Sequence, residues 1–255
     1  MRVLVCVKRV PFTGGKMVLN AESTALETKH LGFTISPHEE CGVEEAVRLI
    51  ESGGGESVVL TLGPTDAVEQ LRDAMALGID RAIHLQTDGA EWDGEATAGA
   101  LVEAIRADEE AFGSFDLIFF GNESADAGGF QVGIRVARAL ARPCVTGLKG
   151  VKVEGVAAVR CEQDAGGGRD VYVVPLPAVL TVKEGLNLPR YPSVPGRMRA
   201  ARKPVAMSTP ARPQGRLEMT HLAVPGGSSR KTELLGSGAP AAPAVVEMLR
   251  RIGIA

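Results

Sequence analysis

Short apolar runs alternate with helix-like segments through the first half of the chain. The runs RVLVCVKRV (residues 2–10), SVVLTLG (57–63), RAIHL (81–85) and DLIFF (116–120) have the length and composition of buried strands. Segments 36–53, 65–78 and 95–108 space their apolar residues as helices do, and a further helix is predicted after residue 133. Strands that alternate with helices through short connections predict an α/β fold with a doubly wound, mostly parallel sheet.

The first long helix carries a strong start signal in SPHE (residues 36–39). Ser36 is a residue type that caps helices, and Pro37 suits the first helical position. Glu39 lies three residues after Ser36, as a capping box requires. The sequence therefore predicts a helix that begins directly after Ser36.

The rhythm changes after residue 143. Residues 150–182 alternate apolar and polar positions around Gly-rich turns, which predicts antiparallel hairpins. From residue 206 the chain is rich in Pro, Gly and Ser, until an apolar helix is predicted at 244–252. We therefore expect a nucleotide-binding α/β domain over 1–205, and over 206–255 an extended arm whose terminal helix docks on a partner subunit.

Composition and charge exclude several classes of protein. The net charge of −3 argues against non-specific nucleic-acid binding. No run approaches the ~20 apolar residues that a membrane span needs, and the N-terminus lacks the pattern of a secretion signal. The cysteines form neither a CxxC pair nor a Cys/His metal spacing: Cys6, Cys41, Cys144 and Cys161. We expect reduced thiols, no metal and a cytoplasmic location.

Three Gly-rich segments compete as phosphate sites. SGGGES (52–57) follows a helix and precedes a strand, so it is interpreted as a helix end, and AGGGR (165–169) is interpreted as a hairpin loop. GNESADAGGFQVG (121–133) runs from a strand into a helix, the polarity that phosphate binding requires. It matches neither GxGxxG nor the P-loop, so position alone leaves a nucleotide site and a plain turn both open.

A basic segment, LNLPRYPSVPGRMRAARKP (186–204), contains no acidic residue. Its cations are Arg190, Arg197, Arg199, Arg202 and Lys203. Val194 and Met198 are apolar residues among polar neighbours. The segment is either a solvated basic loop or a docking loop with an apolar anchor and cations that steer an acidic partner.

No catalytic constellation is present in the sequence. The histidines are far apart: His30, His38, His84 and His221. The chain contains no GxSxG, HExxH or paired-carboxylate motif. These features are typical of a binding subunit or carrier rather than of a self-sufficient enzyme.

Three stretches together resemble the β subunit of electron-transfer flavoproteins. They are the opening VLVCVKRVP, the block SPHEECGVEEAVRLIESG with the strand and helix that follow it, and LPAVLTVKEGLNLPRYPSVPGRMRAARKP. The last contains the family core N-x-P-R-[YF] as Asn187, Pro189, Arg190 and Tyr191, and GNES also matches. The resemblance covers about residues 1–205 and the C-terminal helix.

The resemblance implies a heterodimer with a fold like that of adenine-nucleotide α-hydrolases. In this family the α subunit holds most of the redox FAD, and the β subunit binds AMP or, in electron-bifurcating members, a second FAD. The β subunit then helps to relay electrons from flavin dehydrogenases to a quinone reductase or another acceptor.

Matching by residue implies a cofactor-binding set and a partner-docking set. The cofactor-binding set is Cys6, Ser36, Glu123, Ser124, Asp126, Gly128, Gly129, Phe130, Gln131, Val132 and Gly133. The docking set is Arg190, Val194, Arg197, Met198, Arg199 and Arg202.

The sequence departs from the family pattern at the cofactor-binding set. Ser36 replaces an Asn, and Phe130 and Val132 replace polar residues that are common in AMP-binding members. The run QVG resembles bifurcating members, but their DGDT block is replaced by DAGG (126–129). AMP and a second FAD therefore both stay open. A stand-alone nucleotide-binding regulator of the universal-stress type is the alternative from another class.

Overall fold

Strands and helices alternate along the computed structural model, which describes residues 1–12, 14, 17–155, 157–213, 215–217, 219–224 and 233–254. The strands are β1 (Arg2–Cys6), β2 (Val10–Pro11), β3 (Phe33–Thr34), β4 (Glu56–Gly63), β5 (Arg81–Gln86), β6 (Leu117–Gly121), β7 (Cys144–Glu154), β8 (Ala158–Ala165), β9 (Gly168–Pro175), β10 (Ala178–Val182) and β11 (Val205–Ser208). The helices are α1 (Pro37–Gly53), α2 (Val68–Leu77), α3 (Gly94–Phe112), α4 (Val132–Ala139), α5 (Val194–Ala200) and α6 (Ala242–Arg251).

A nine-stranded sheet forms the centre of the fold, in the order β11-β5-β4-β1-β6-β10-β7-β8-β9. Its first seven strands pair in parallel, and β8 and β9 extend it as an antiparallel hairpin from β7. β2 and β3 form a separate antiparallel pair. The predicted doubly wound, mostly parallel sheet with an antiparallel extension is confirmed.

Helices cover both faces of the parallel part of the sheet. Apolar residues of α1 and α2 pack with Val5 and Phe119 on one face. Residues of α3 and α4 pack with Leu4 and Phe120 on the other. The chain moves outward from β1 through β4 to β5, and α3 then returns it to β6 on the opposite side of β1. The carboxyl ends of β1 and β6 therefore flank a topological switch point, where open α/β sheets bind ligands.

The prediction of antiparallel hairpins over residues 150–182 is correct for β7, β8 and β9 and wrong for β10. β10 enters the sheet between β6 and β7 and runs parallel to both. All five of its residues are buried. A strand buried on both faces is a continuous apolar run, and so the alternation that marks a hairpin does not identify its place in the sheet.

The segment after β10 is more regular than its sequence indicates. α5 lies within the predicted docking loop, and the Ser193 Oγ accepts a hydrogen bond from the Gly196 N–H at 3.1 Å to cap it. β11 pairs in parallel with β5 at the far edge of the sheet. The predicted domain boundary after residue 205 thus falls inside β11.

Contacts divide the chain into two units, Met1–Thr220 and His221–Ala255. The first contains the whole sheet and helices α1 to α5. The second contains α6, whose Val245 and Val246 are 39% and 43% exposed. Within the described residues, no helix has the length and apolar character needed to cross a bilayer.

Candidate nucleotide-binding site

Three segments meet at the switch point, and the buried Glu39 side chain joins two of them. Its Oε1 accepts the backbone N–H of Lys8, just beyond β1, at 2.9 Å. Its Oε2 accepts the N–H of Ser36, ahead of α1, at 2.9 Å. The second contact is the glutamate half of the predicted capping box. Glu39 therefore fixes the end of β1 to the start of α1.

The hydroxyl of Ser36 joins the third segment. The N–H of Ala125, in the turn after β6, donates to the Ser36 Oγ at 2.9 Å. Ser36 is 1% exposed. The serine that marks the start of α1 in the sequence thus also holds the turn 121–131.

Lys8 connects the end of β1 to the turn after β6 and to the loop before α3. Its Nζ lies 2.8 Å from Asp126 Oδ2 in the turn and 2.6 Å from Glu91 Oε1 in the loop before α3. Burial opposes the charge of Lys8, but Glu91 and Asp126 outweigh it and raise the pKa of Lys8. Burial likewise opposes the charge of Asp126, but Lys8 lowers the pKa of that carboxyl. Lys8 and Asp126 are therefore both charged at neutral pH.

The turn itself departs from ordinary backbone geometry at Phe130. Its φ is +55°, in the left-handed region that a bulky residue rarely adopts. Its side chain is 53% exposed. The Gly128 N–H donates to Ser124 O at 3.0 Å, and the Glu123 side chain lies beside Gly128. Strained backbone of this kind is concentrated at active sites and ligand-binding segments.

Helix α4 begins directly behind this turn and packs tightly on the sheet. A Cβ at Gly133 would lie 2.9 Å from Thr181 Cγ2 and 3.1 Å from Phe120 Cγ, so glycine is required for this close approach. No side chain of the described residues caps the helix. Gln131 precedes it, and its Oε1 instead accepts a hydrogen bond from Arg135 Nε at 2.8 Å. The first N–H groups of α4 and its positive dipole end are thus left for an anion.

Cys6 lies at the end of β1 as a buried thiol. Burial, and then the nearby charge of Glu39, raise its pKa well above the usual range. Cys6 packs with core residues such as Phe120 rather than in the turn. Cys6 is therefore a neutral thiol of the core next to the site.

Several features of this arrangement fit a bound phosphate group. The uncapped start of α4, the backbone N–H of Gly129 and the Lys8 ammonium are groups that attract an anion. Asp126 and Glu91 oppose it, and both are paired to Lys8. Of the predicted cofactor-binding residues, the structure brings Ser36 and the whole turn together, with Cys6 below them.

A polar concavity of about 280 Å³ lies on the other side of the turn. Phe130 and Ile134 line it from the turn and α4, and Lys183 lines it from the end of β10. Gly147, at φ +65°, lines it where the pairing of β7 shifts in register. A bulge of this kind widens the gap between strands.

The basic segment is fixed to α1 by its signature residues. Asn187 Nδ2 donates to Cys41 O at 3.0 Å and to Glu45 Oε2 at 2.9 Å. Arg190 forms two-pronged contacts with Glu44, from Nε at 2.9 Å, and with Glu51, from Nη1 at 2.6 Å. The hydrogen bonds of Glu51 and then Glu44 raise the pKa of Arg190 further. Arg190 thus anchors the loop from inside.

Other contacts fix the same loop to α2. Lys203 Nζ donates to the carbonyl of Met75 at 3.1 Å near the end of α2, and Arg72 Nη1 donates to the carbonyls of Ala200 and Lys203. Arg197 pairs with Asp73 at 2.8 Å. Such contacts satisfy carbonyls that helix ends leave unpaired.

The remaining loop residues face outward. Arg199 and Arg202 take part in none of the ion pairs found among the described residues, and both are exposed. The exposed apolar side chains are Leu188, Tyr191, Val194 and Met198, at 87%, 95%, 73% and 65%. The docking set therefore contains two anchored arginines, two outward arginines and two outward apolar residues.

Sequence reasoning missed Lys8, Glu39 and Glu91 as members of the site. Lys8 lies inside the predicted strand 2–10, and its position there gave no sign of the contacts that it makes. Glu39 was explained by helix capping alone. Glu91 carried no signal, because its contact with Lys8 spans 83 residues of sequence.

Comparison with known proteins decides the family. The electron transfer flavoprotein domain matches residues 24–212, and relatives named as its subunit beta are 33–37% identical to this chain over 80–88% of its length. The chain belongs to the family of electron transfer flavoprotein β subunits. This membership sets aside the universal-stress alternative, and the matched residues include both the turn 121–133 and the loop 186–204.

Bacterial and plant members of the family show how far the likeness extends. The electron transfer flavoprotein subunit beta of Syntrophomonas wolfei is 37% identical over 226 residues, 88% of this chain and 86% of that protein. The Bacillus subtilis protein of the same name is 35% identical over 80% of this chain and 77% of its own length. The mitochondrial form of Arabidopsis thaliana is 36% identical, covering 82% of each chain.

Proposed function

We propose that this chain is the β subunit of a heterodimeric electron-transfer flavoprotein. It helps to relay electrons from flavin dehydrogenases, through FAD held mainly by the α subunit, to a quinone reductase or another acceptor. The family match and the names of the relatives support the α partner. The bound FAD supplies the redox chemistry, so this chain acts as a carrier subunit rather than as a self-sufficient enzyme. We place it in the cytoplasm.

The chain also binds an adenine nucleotide at the switch point, and one observation carries this proposal. The uncapped N-terminus of α4, the glycine turn and the Lys8 ammonium converge at the carboxyl ends of β1 and β6. The backbone N–H groups of residues 129–133 hold the phosphate there, since the Gly128 N–H already donates to Ser124 O. Ser36 and Glu39 keep the three segments in place around it.

One observation favours a second FAD over AMP. The concavity beside Phe130 offers about 280 Å³ next to the turn, lined by an exposed aromatic ring and by Lys183. A flavin bound there would stack its ring on such a side chain, and the Lys183 ammonium would favour negative charge on it. AMP needs only the phosphate turn and a pocket for its base.

Two surfaces of the chain serve partners. The outward residues of the loop 186–204 dock flavin dehydrogenases, with Val194 and Met198 as apolar contacts and Arg199 and Arg202 as steering cations. The terminal helix α6 packs on the α subunit through its partly exposed Val245 and Val246.

Co-expression with the α subunit tests the function and the nucleotide together. The purified heterodimer is denatured, and its released nucleotides are separated and quantified. One FAD and one AMP per heterodimer support the electron-carrier form, and two FAD with no AMP support the bifurcating form. A chain that purifies without any flavin-bearing partner contradicts the proposal.

A further inference from the structure

Four contacts form a closed ring around the switch point. Glu39 accepts N–H groups from Lys8 and from Ser36, each at 2.9 Å. Ser36 Oγ accepts the N–H of Ala125 at 2.9 Å, and the adjacent Asp126 lies 2.8 Å from Lys8 Nζ. The position of the Lys8 side chain is therefore tied to the turn, to α1 and to β1.

The ammonium group of Lys8 retains capacity for another acceptor. A lysine ammonium has three N–H donors, and Asp126 and Glu91 occupy two of them. The two carboxylates differ in their surroundings, because Glu91 is 71% exposed while Asp126 is 20% exposed. Water can solvate Glu91 when it leaves Lys8, so its contact is the more easily exchanged.

We propose that Lys8 donates to the phosphate of the bound adenine nucleotide and that Glu91 is the carboxylate that the phosphate displaces. This inference rests on the proposed nucleotide site and assigns its phosphate a side-chain ligand. Lys8 contacts Asp126, which lies in the turn that leads directly into α4, so Lys8 and the N–H groups at the start of α4 together attract a phosphate bound at that turn. Glu91 competes for the same ammonium and weakens nucleotide binding.

Adenosine and AMP separate a phosphate contact from a general effect on the fold, because they share the base and ribose. Calorimetric titrations use the co-expressed heterodimer after dialysis to remove bound nucleotide. The variants are Lys8→Met, Lys8→Arg and Glu91→Gln. Glu110→Gln is the matched control, since it removes one exposed negative charge on α3 that joins no ion pair among the described residues.

We expect Lys8→Met to lower the AMP association constant about tenfold or more, as the loss of a charge-assisted hydrogen bond does, with adenosine unchanged. Lys8→Arg keeps most of the AMP affinity. Glu91→Gln raises the AMP association constant by about two- to fivefold. Glu110→Gln changes neither ligand.

Two results overturn the role of Lys8 while the nucleotide site stands. In one, AMP binds Lys8→Met as tightly as wild type; in the other, AMP and adenosine lose affinity together. AMP affinity that falls or stays constant in Glu91→Gln overturns the role of Glu91. Wild-type protein that binds neither AMP nor FAD overturns the nucleotide site itself, and the role of Lys8 with it.

Discussion

Glu39 shows how one buried side chain organises a site. Both of its carboxyl oxygens accept backbone N–H groups, which favours the charged form. Burial outweighs these contacts and raises its pKa to about 8. The residue therefore changes protonation at a pH where most carboxyl groups are long ionised, and it does so beneath the turn that we assign to the phosphate.

This shift predicts a pH dependence of stability with a definite sign. Because the pKa is about 8 in the folded chain and 4.5 in a free side chain, the folded state retains a proton that the unfolded state has lost between these values. The contribution of Glu39 is complete below pH ~4.5 and is lost as the pH rises through ~8. Urea unfolding at fixed heterodimer concentration should therefore show a larger fall in stability from pH 6 to pH 9 for wild type than for Glu39→Gln.

In Glu39→Gln the side-chain NH₂ replaces one of the two accepting oxygens and points at a backbone N–H, so two donors oppose each other. This variant should therefore be less stable than wild type at pH 6. Glu110→Gln, an exposed substitution on α3, should follow wild type at both pH values. Parallel pH curves for wild type and Glu39→Gln would show that the carboxyl does not titrate in this range.

At the scale of elements, the loop 186–204 is held on α2 by hydrogen bonds that α2 donates to the loop and by others that the loop donates to α2. α2 contributes Arg72 to the carbonyls at the end of α5, and the loop contributes Lys203 to the carbonyl of Met75 near the end of α2. Arg190 adds the contact with α1. The loop therefore presents its exposed residues from a fixed base, which lowers the entropic cost of docking.

Substitution of Arg190 tests whether these contacts hold the loop in place. Arg190→Ala leaves Glu44, which is 3% exposed, with Arg48 as its remaining ion-pair partner among the described residues. We expect a loss of about 2 kcal/mol in the free energy of unfolding, below the full value for a buried pair because Arg190 is partly exposed. Hydrogen exchange of residues 186–204 should accelerate. The stability and exchange rate of Arg190→Lys should lie between those of wild type and Arg190→Ala, since lysine keeps the charge but cannot form the bidentate contacts with Glu44 and Glu51.

Arg202→Ala serves as the control, because Arg202 is exposed and outside the ion pairs of the described residues. It should leave stability and exchange unchanged. Equal protection of the loop in wild type and Arg190→Ala would refute the anchoring role.

The elements differ in how far the sequence predicts them. The helix start at Ser36 and the polarity of the turn 121–133 are local signals, and the structure agrees with both. The place of β10 and the pairing of β11 with β5 depend on distant strands, so no local pattern indicates them. The same reason hides Lys8 and Glu91, whose roles exist only after the sheet brings their loops together.

At the scale of the whole molecule, a net charge of −3 coexists with the basic loop 186–204, which we propose as a docking loop. The positive charges of this loop are not equivalent. Arg190 and Arg197 are already paired with carboxylates within the chain. Arg199 and Arg202 are the loop arginines whose field is not cancelled by an ion pair among the described residues. An acidic dehydrogenase surface would be steered by these two, and more strongly at low salt.

The rate at which a flavin dehydrogenase reduces the heterodimer, measured by stopped flow, tests whether Arg199 and Arg202 steer the partner. Arg199→Gln should lower the second-order rate constant several-fold at low ionic strength, and the deficit should shrink as salt screens the encounter. Arg197→Gln is the matched variant, and its effect should be smaller because Asp73 already balances Arg197. Val194→Asp should slow reduction at every salt concentration, since it removes an apolar contact that is 73% exposed. FAD content should stay at the wild-type value in all three variants. Equal rate losses for Arg197→Gln and Arg199→Gln would mean that net charge, rather than the outward face of the loop, governs docking.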